Sequence, residues 1–282
     1  MVCSRLAPIC NPDVIYYKTK DEIELIRISC LLVCKTLAEI ATILKPGVTG
    51  ATLDKRAEEF IRDHQAVPGF KDYKGFPATL CISPNEGVVH GIPDDKEFTD
   101  GDIVSIDCGT YLNEFYGDAA YTFAIGEIPD HTMKLLQVTK DSLYKGIEAA
   151  QKGNRLGDVG YAIQNYAERE NGFGVVRELI GHGIGRNLHE KPDVMNYGQR
   201  GKGIQLKEGL VIAIEPMVNQ GSKEIAKSSD GWTIISRDRK PSAHYEHTIA
   251  ITKNEPDILS DHSFIETSIK KNANIRDISR KK

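Results

Sequence analysis

Apolar residues Ile23, Ile26, Cys30, Val33, Leu37, Ile40 and Leu44 recur at intervals of three and four, the period that lines one face of an α-helix. Thr19 followed by Glu22 has the spacing of a capping box, so this helix is expected to start there. Lys45-Pro46-Gly47 ends it, and Leu53, Ala57, Phe60 and Ile61 predict a second, shorter helix. Residues 68–84 read as irregular and aromatic. Asp130 is placed to cap a third helix carrying Leu136, Leu143, Ile147 and Ala150. After Gly153 a fourth follows with Val159, Ile163, Tyr166 and Ala167, so the order helix, Gly turn, helix occurs twice.

The strands repeat as well. Asp100-Gly101-Asp102-Ile103-Val104-Ser105-Ile106-Asp107 aligns without a gap on Glu208-Gly209-Leu210-Val211-Ile212-Ala213-Ile214-Glu215, and both runs end in a carboxylate. A second pair begins with Asp118 and Glu246, each followed by β-branched and aromatic residues. If residues 102–107 and 116–124 form a hairpin turning at Leu112-Asn113, positions whose numbers sum to 225 face each other, which sets Asp107 opposite Asp118. Directly opposed residues have Cβ atoms about 5 Å apart, where two ionised carboxylates repel. A divalent cation between them is the compact remedy. Glu215 stands at the buried end of an apolar run and Glu246 at the head of an interior strand, and a charge in either place needs a partner. Gly181-His182-Gly183-Ile184-Gly185 presents His182 as the only large polar side chain, with glycines that let the backbone approach a site. One imidazole with four carboxylates suits a pair of Mn, Fe(II) or Co ions better than a closed structural zinc site.

Composition narrows the classes. With 40% hydrophobic and 27% charged residues, the 282-residue chain can bury a sizeable core. A net charge of -4, spread along the chain, leaves no field aimed at a polyanion, so nucleic acid is not an expected partner. No run near the start resembles a signal segment and none elsewhere approaches a membrane span, so a cytoplasmic chain without a membrane partner is expected. The cysteines at 3, 10, 30, 34, 81 and 108 have no paired CxxC spacing and read as reduced thiols, Cys30 and Cys34 packing on one helix face. Taken singly, Glu190 and Asp193 read as surface charges, and His64, His131, His244 and His262 are given no role. His247, beside Glu246, is as much a plain structural histidine as a support for it. His189-Glu190 does not open a helical HExxH site, because Pro192 follows. Residues 270–282, charged and poor in apolar side chains, are expected to form a frayed end.

Seven segments in order, Val88-Val89-His90-Gly91-Ile92-Pro93, Ile106-Asp107-Cys108-Gly109, Gly117-Asp118, the glycine-flanked His182, His189-Glu190, Ile214-Glu215-Pro216-Met217 and Tyr245-Glu246-His247, resemble those of type I methionine aminopeptidases. The likeness runs from about residue 15 to 253. It implies an α+β pita-bread fold, a pseudo-twofold repeat of helix-helix-hairpin units around a curved antiparallel sheet. It also implies removal of the initiator methionine from new chains when the next residue is small. Carried over residue by residue, Asp107, Asp118, His182, Glu215 and Glu246 correspond to the ligands of two divalent ions, and Glu215 to the acceptor of a proton from the attacking water. His189 corresponds to the histidine at the developing oxyanion and His90 to the one at the scissile amide nitrogen. Tyr73, Cys81 and Trp232, with Phe70 and Phe76 beside them, correspond to the methionine pocket. The chain departs from the pattern at Phe76, where many bacterial members have tyrosine, and at Ala119-Ala120, where Thr or Ser is usual.

The expected organisation is an arm over 1–16, a catalytic domain over 17–253 with repeats at about 17–128 and 129–253, and an extension over 254–282. The resemblance further implies a monomer acting on nascent N-termini, and transient ribosome association is expected because the substrate emerges there. Two rival readings share the motifs: a proline-directed aminopeptidase or dipeptidase on the same scaffold, and a catalytically silent relative that binds partners.

Overall fold

A computed structural model of the chain describes residues 14–278; Cys3, Cys10 and nearly all of the arm expected over 1–16 lie outside the described residues, as do residues 279–282. Helix α1 (Lys20–Ile43) starts as its capping box predicts: the Glu22 N–H donates to Thr19 Oγ1 at 3.2 Å and the Thr19 N–H to the Glu22 carboxylate at 3.0 Å. Its stripe Ile26, Cys30, Val33, Leu37 and Ile40 is fully buried, and Cys34 packs beside it. Helix α2 (Gly50–Asp63) is capped by the Thr49 hydroxyl. Helix α3 (Asp130–Ala149) takes Pro129 as its cap, so Asp130 sits one place inside, favourable at the positive end of the helix but without a cap bond. Helix α4 (Leu156–Gln164) passes into wider π-type turns over Asn165–Glu170, which contain the expected Tyr166 and Ala167.

Strands Ile103–Leu112 and Phe115–Ile125 form a hairpin at the centre of a five-stranded sheet with Val67–Pro68, Leu80–Pro84 and Ile275–Arg276. A second five-stranded sheet runs in the order Asp257–Ile258, His247–Ala250, Val211–Ile214, Gly181–Gly183, Glu190–Val194. Among the described residues two three-stranded sheets complete the set, one of them Gly174–Val175, Met217–Asn219 and Ser242–His244. The stretch 68–84 is therefore not wholly irregular. Its apolar run Leu80-Cys81-Ile82 is too short to show a period, yet it pairs along Ile103–Leu112.

The hairpin register differs from the expected one by two residues. The turn falls on Asn113 and Glu114, both left-handed at φ 51° and 67°, so Asp107 pairs with Ala120 and Asp118 with Gly109. A two-residue turn with both residues left-handed matches the twist of the strands, and a turn one place earlier would force Leu112 into that region. Because a shift of two preserves parity, Asp107 and Asp118 keep the same face and become diagonal neighbours instead of opposed ones.

The hairpin and the second sheet are joined by hydrogen bonds from residues 244–248. The Glu246 N–H donates to the Ala120 carbonyl at 3.0 Å, Thr248 Oγ1 to the Asp118 carbonyl at 2.9 Å, and the His244 N–H to Thr122 Oγ1 at 2.9 Å. The C-terminal segment is packed, not frayed, through residue 278. Helix α5 (Ser263–Ile269) lies on α1, Ile275 pairs with Ile125, and Ile265, Ile269, Ile275 and Ile278 are buried. Asn272 Nδ2 donates to the carbonyls of Ala41 and Leu44, which the end of α1 leaves without intrahelical donors. Among the described residues no helix is long and apolar enough to cross a membrane.

Helix α1 rests directly on the hairpin at Gly117, where an added Cβ would lie 2.4 Å from the Cys30 backbone nitrogen. Gly117→Ala must push the helix off the sheet, and a loss of about 1–3 kcal/mol is expected in urea unfolding, the range of an overpacked core. An unchanged urea midpoint would mean that this contact does not set the helix position.

Candidate active site

A cavity of 280 Å³ gathers side chains from both large sheets. Asp107 and Asp118 come from the hairpin, His182 from Gly181–Gly183, Glu215 from the residue after Val211–Ile214, and Glu246 from the residue before His247–Ala250. Every expected site residue lines this cavity, with Phe70, Tyr73, Phe76, Cys81, His90, His189 and Trp232 forming the remaining walls. Lys74 and Leu188 join them without having been expected.

Ligand atoms of Asp118, His182 and Glu246 lie within 4.8 Å of one another. His182 Nδ1 is 2.9 Å from the Gly183 carbonyl, which requires it to carry the proton and leaves Nε2 with a lone pair. That lone pair faces Asp118 Oδ2 at 3.8 Å and Glu215 Oε1 at 3.6 Å. Asp107 Oδ1, Asp118 Oδ1 and Glu246 Oε1 are buried without a hydrogen-bond partner. Burial raises the pKa of all four carboxyls, and mutual repulsion raises those of Asp118, Glu215 and Glu246 further. An imidazole lone pair aimed at carboxylate oxygens, with orphaned acceptors around it, is repulsive unless protons or a cation intervene. The donor set fits a hard divalent metal.

The other end of the cavity is apolar. Phe76 and Trp232 meet edge to face at 5.3 Å, and Phe70 fills the space over Gly109, where a Cβ would lie 2.5 Å from its ring. The Cys81 thiol is pushed well above its usual pKa, first by burial and then by Asp107, so it stays neutral. His189 Nδ1 bonds Tyr73 Oη at 2.8 Å, and its ring stands edge to face on His182 at 4.2 Å. Desolvation holds His182 down to about 4 and His189 down to about 2, so both imidazoles are neutral at pH 7. His90 has a left-handed backbone at φ 57°. Its neighbour Gly91 passes so close to Ile82 that a Cβ would sit 2.0 Å from that carbonyl.

Several readings change. The glycines around His182 serve strand contact instead of site access, since a Cβ on Gly181 or Gly183 would lie 2.3 and 2.4 Å from the carbonyls of Ala213 and Lys191. His244, given no role, is buried with Nε2 3.7 Å from Glu215 Oε2. Its place two residues before Glu246 was the available signal, because alternate strand residues share a face. His247 points away from the carboxyls, bonding Ser260 Oγ at 2.7 Å and stacking on His262 at 3.8 Å, so it braces the strand behind Glu246. Glu190 is not a surface charge but is buried against Lys18.

Without metal, the folded carboxyls hold protons at pH values where the unfolded ones are ionised. The folded state then binds more protons, so the stability of the metal-free protein falls as pH rises above the ordinary carboxylate range. The depressed histidines His90, His189, His244, His247 and His262 act oppositely, losing stability as pH falls below their unfolded value, but they do so with or without metal. The Tm gain on adding Mn(II) is therefore expected to grow between about pH 5.5 and 7.5. Scanning fluorimetry with Mn(II) or EDTA measures it, and a gain that shrinks with pH would place the ion elsewhere.

Residues 24–253 match the model of metallopeptidase family M24. The chain is 50% identical to a methionine aminopeptidase of Clostridium perfringens over 247 residues, 88% of this chain and 99% of that one. The crystal structure of methionine aminopeptidase from Rickettsia prowazekii superposes with a TM-score of 0.86 at 43% identity, covering 88% of this chain and all of that one. A prolidase from Pyrococcus furiosus shares the fold at a TM-score of 0.72 and 23% identity, and the match spans 66% of its length. The pita-bread fold expected from the sequence is the one observed, and the chain belongs to metallopeptidase family M24, among its methionine aminopeptidases.

Proposed function

We propose that this cavity removes the N-terminal methionine from newly made chains whose second residue is small, with two divalent ions of the Mn, Fe(II) or Co type held by Asp107, Asp118, His182, Glu215 and Glu246. One observation carries the reading: a four-carboxylate, one-imidazole cluster shares a cavity of 280 Å³ with an apolar wall of Phe70, Phe76, Cys81 and Trp232. Aromatic and sulfur surface suits a flexible thioether. The relatives named methionine aminopeptidase support the choice of side chain.

When bound, such ions polarise the carbonyl and lower the pKa of water toward neutrality. The chain's own residues supply the rest. Glu215 accepts the proton of the attacking water through its carboxylate, and His244, 3.7 Å from Oε2, stands behind it. The Tyr73 hydroxyl donates to His189 Nδ1, which leaves Nε2–H to donate to the carbonyl oxygen as charge builds. A neutral His189 keeps that proton at working pH. His90 holds the scissile amide nitrogen, which belongs to the second residue.

The catalytic unit is assigned to 17–253, with its two repeats about the cavity. The chain works as a cytoplasmic monomer, with transient approach to ribosomes where its substrates emerge. The prolidase neighbours favour no change of substrate, because their likeness, at 23% identity or below, reaches the fold alone.

Metal-stripped protein refilled with Mn(II), Fe(II) or Co(II) is expected to release methionine from Met-Ala-Ser and nothing from Pro-Ala-Ser. Release of proline would transfer the assignment to the proline-directed branch, and no release with any ion would support a silent binding protein. Glu215→Gln is expected to lower kcat by about 10²–10⁴ while the protein stays folded. Retained turnover would remove Glu215 from proton transfer.

A further inference from the structure

Lys18 and Glu190 form an ion pair at 2.5 Å whose side chains are only 5% and 3% exposed. Such a pair is not explained by stability, since apolar side chains of similar size generally serve as well. Its place is more informative. Glu190 follows His189, and its Oε1 accepts the Asn187 N–H at 3.1 Å, closing the bend that carries His189. The third glycine of the His182 motif makes room for it: a Cβ on Gly185 would lie 2.5 Å from Lys18 Cε and 2.9 Å from Glu190 Oε1. The Tyr116 N–H donates to the Gly185 carbonyl at 2.8 Å, which ties the same bend to the hairpin.

Lys18 itself is fixed by backbone. Its N–H donates to the Gly209 carbonyl at 2.7 Å, Tyr17 bridges Leu210, and Ile15 bridges Lys191. Nζ also donates to the Tyr16 carbonyl at 3.1 Å. The ammonium is thus held from a segment laced to the strand Glu190–Val194 and to the turn that leads into Val211–Ile214, and it grips the residue next to His189. His189 itself bonds the pocket residue Tyr73.

We propose that Lys18 and Glu190 are positioning residues that hold His189 at the angle its donor role requires, a step that rests on the reading of His189 given above. The pair acts through the bend 185–190 and touches no substrate. Glu190→Gln and Lys18→Met keep the volume and remove one charge each; the double variant removes both, so no buried charge is left alone.

The experiment combines two readouts on the full chain. Histidine-selective ¹⁵N NMR of the metal-free protein reports the tautomer and mobility of His189, and steady-state kinetics of the Mn(II)-loaded protein on Met-Ala-Ser gives kcat and KM. The double variant is expected to stay folded, to shift or broaden the His189 ring signals, and to lose at least about tenfold in kcat with KM within about twofold. The single variants are expected to lose no less than the double one, showing that the two side chains act as a unit. Unchanged His189 signals in a folded double variant would overturn the proposal whatever the activity. So would a kcat within about twofold of the parent accompanied only by a lower Tm. If the parent chain itself lacks aminopeptidase activity, the functional reading fails, while the NMR comparison still decides the positioning role.

Discussion

Repulsion among buried carboxyl groups is the constraint on which the rest of this structure depends. Asp107, Asp118, Glu215 and Glu246 line one cavity, with the lone pair of His182 facing Asp118 and Glu215. Two unit charges about 4 Å apart interact by about 4 kcal/mol at an effective dielectric constant near 20. Several such pairs would rival the whole stability of a domain, about 5–15 kcal/mol. The four acids can be ionised together only around added positive charge, and the metal-free fold answers by keeping protons. A divalent cation bound there would replace those protons, and relief of the same repulsion would favour its binding.

Holding four acids against their repulsion needs stiff support, and the fold supplies it from both sides. Val211–Ile214 and His247–Ala250 are fully buried strands with Glu215 and Glu246 at adjoining ends. Residues 244–248 are bonded onto the hairpin that carries Asp107 and Asp118. Helix α1 closes the far side of that hairpin, and Gly117 sets how closely it packs. The cavity then has two unlike ends: a polar one where the four carboxyls gather, and an aromatic one walled by Phe70, Phe76 and Trp232. Neutral imidazoles stand at the junction, able to donate without adding charge.

Much of this was legible because local pattern and burial agree. The capping box at Thr19, the stripe of α1 and the acidic ends of related strands are all short-range signals. The hairpin shows how a wrong detail leaves a right conclusion: the turn lies at Asn113-Glu114, yet parity kept Asp107 and Asp118 on one face. What escaped depends on distant partners. Glu190 looks like any surface acid until Lys18, 172 residues away, is folded against it. The C-terminal isoleucines are too sparse to predict packing, yet Asn272 caps α1 from 228 residues away. His244 joined the site only when its strand was laid against Thr122.

Equilibrium dialysis of metal-stripped protein against Mn(II) at neutral pH, with ions counted per chain and released protons titrated in weak buffer, is the most direct measurement. Saturable uptake of two ions, with proton release that grows as the starting pH falls toward the carboxylate range, is the expected result. Absence of saturable uptake, with the carboxyls retaining their protons, would contradict the assignment of this cluster as a metal centre.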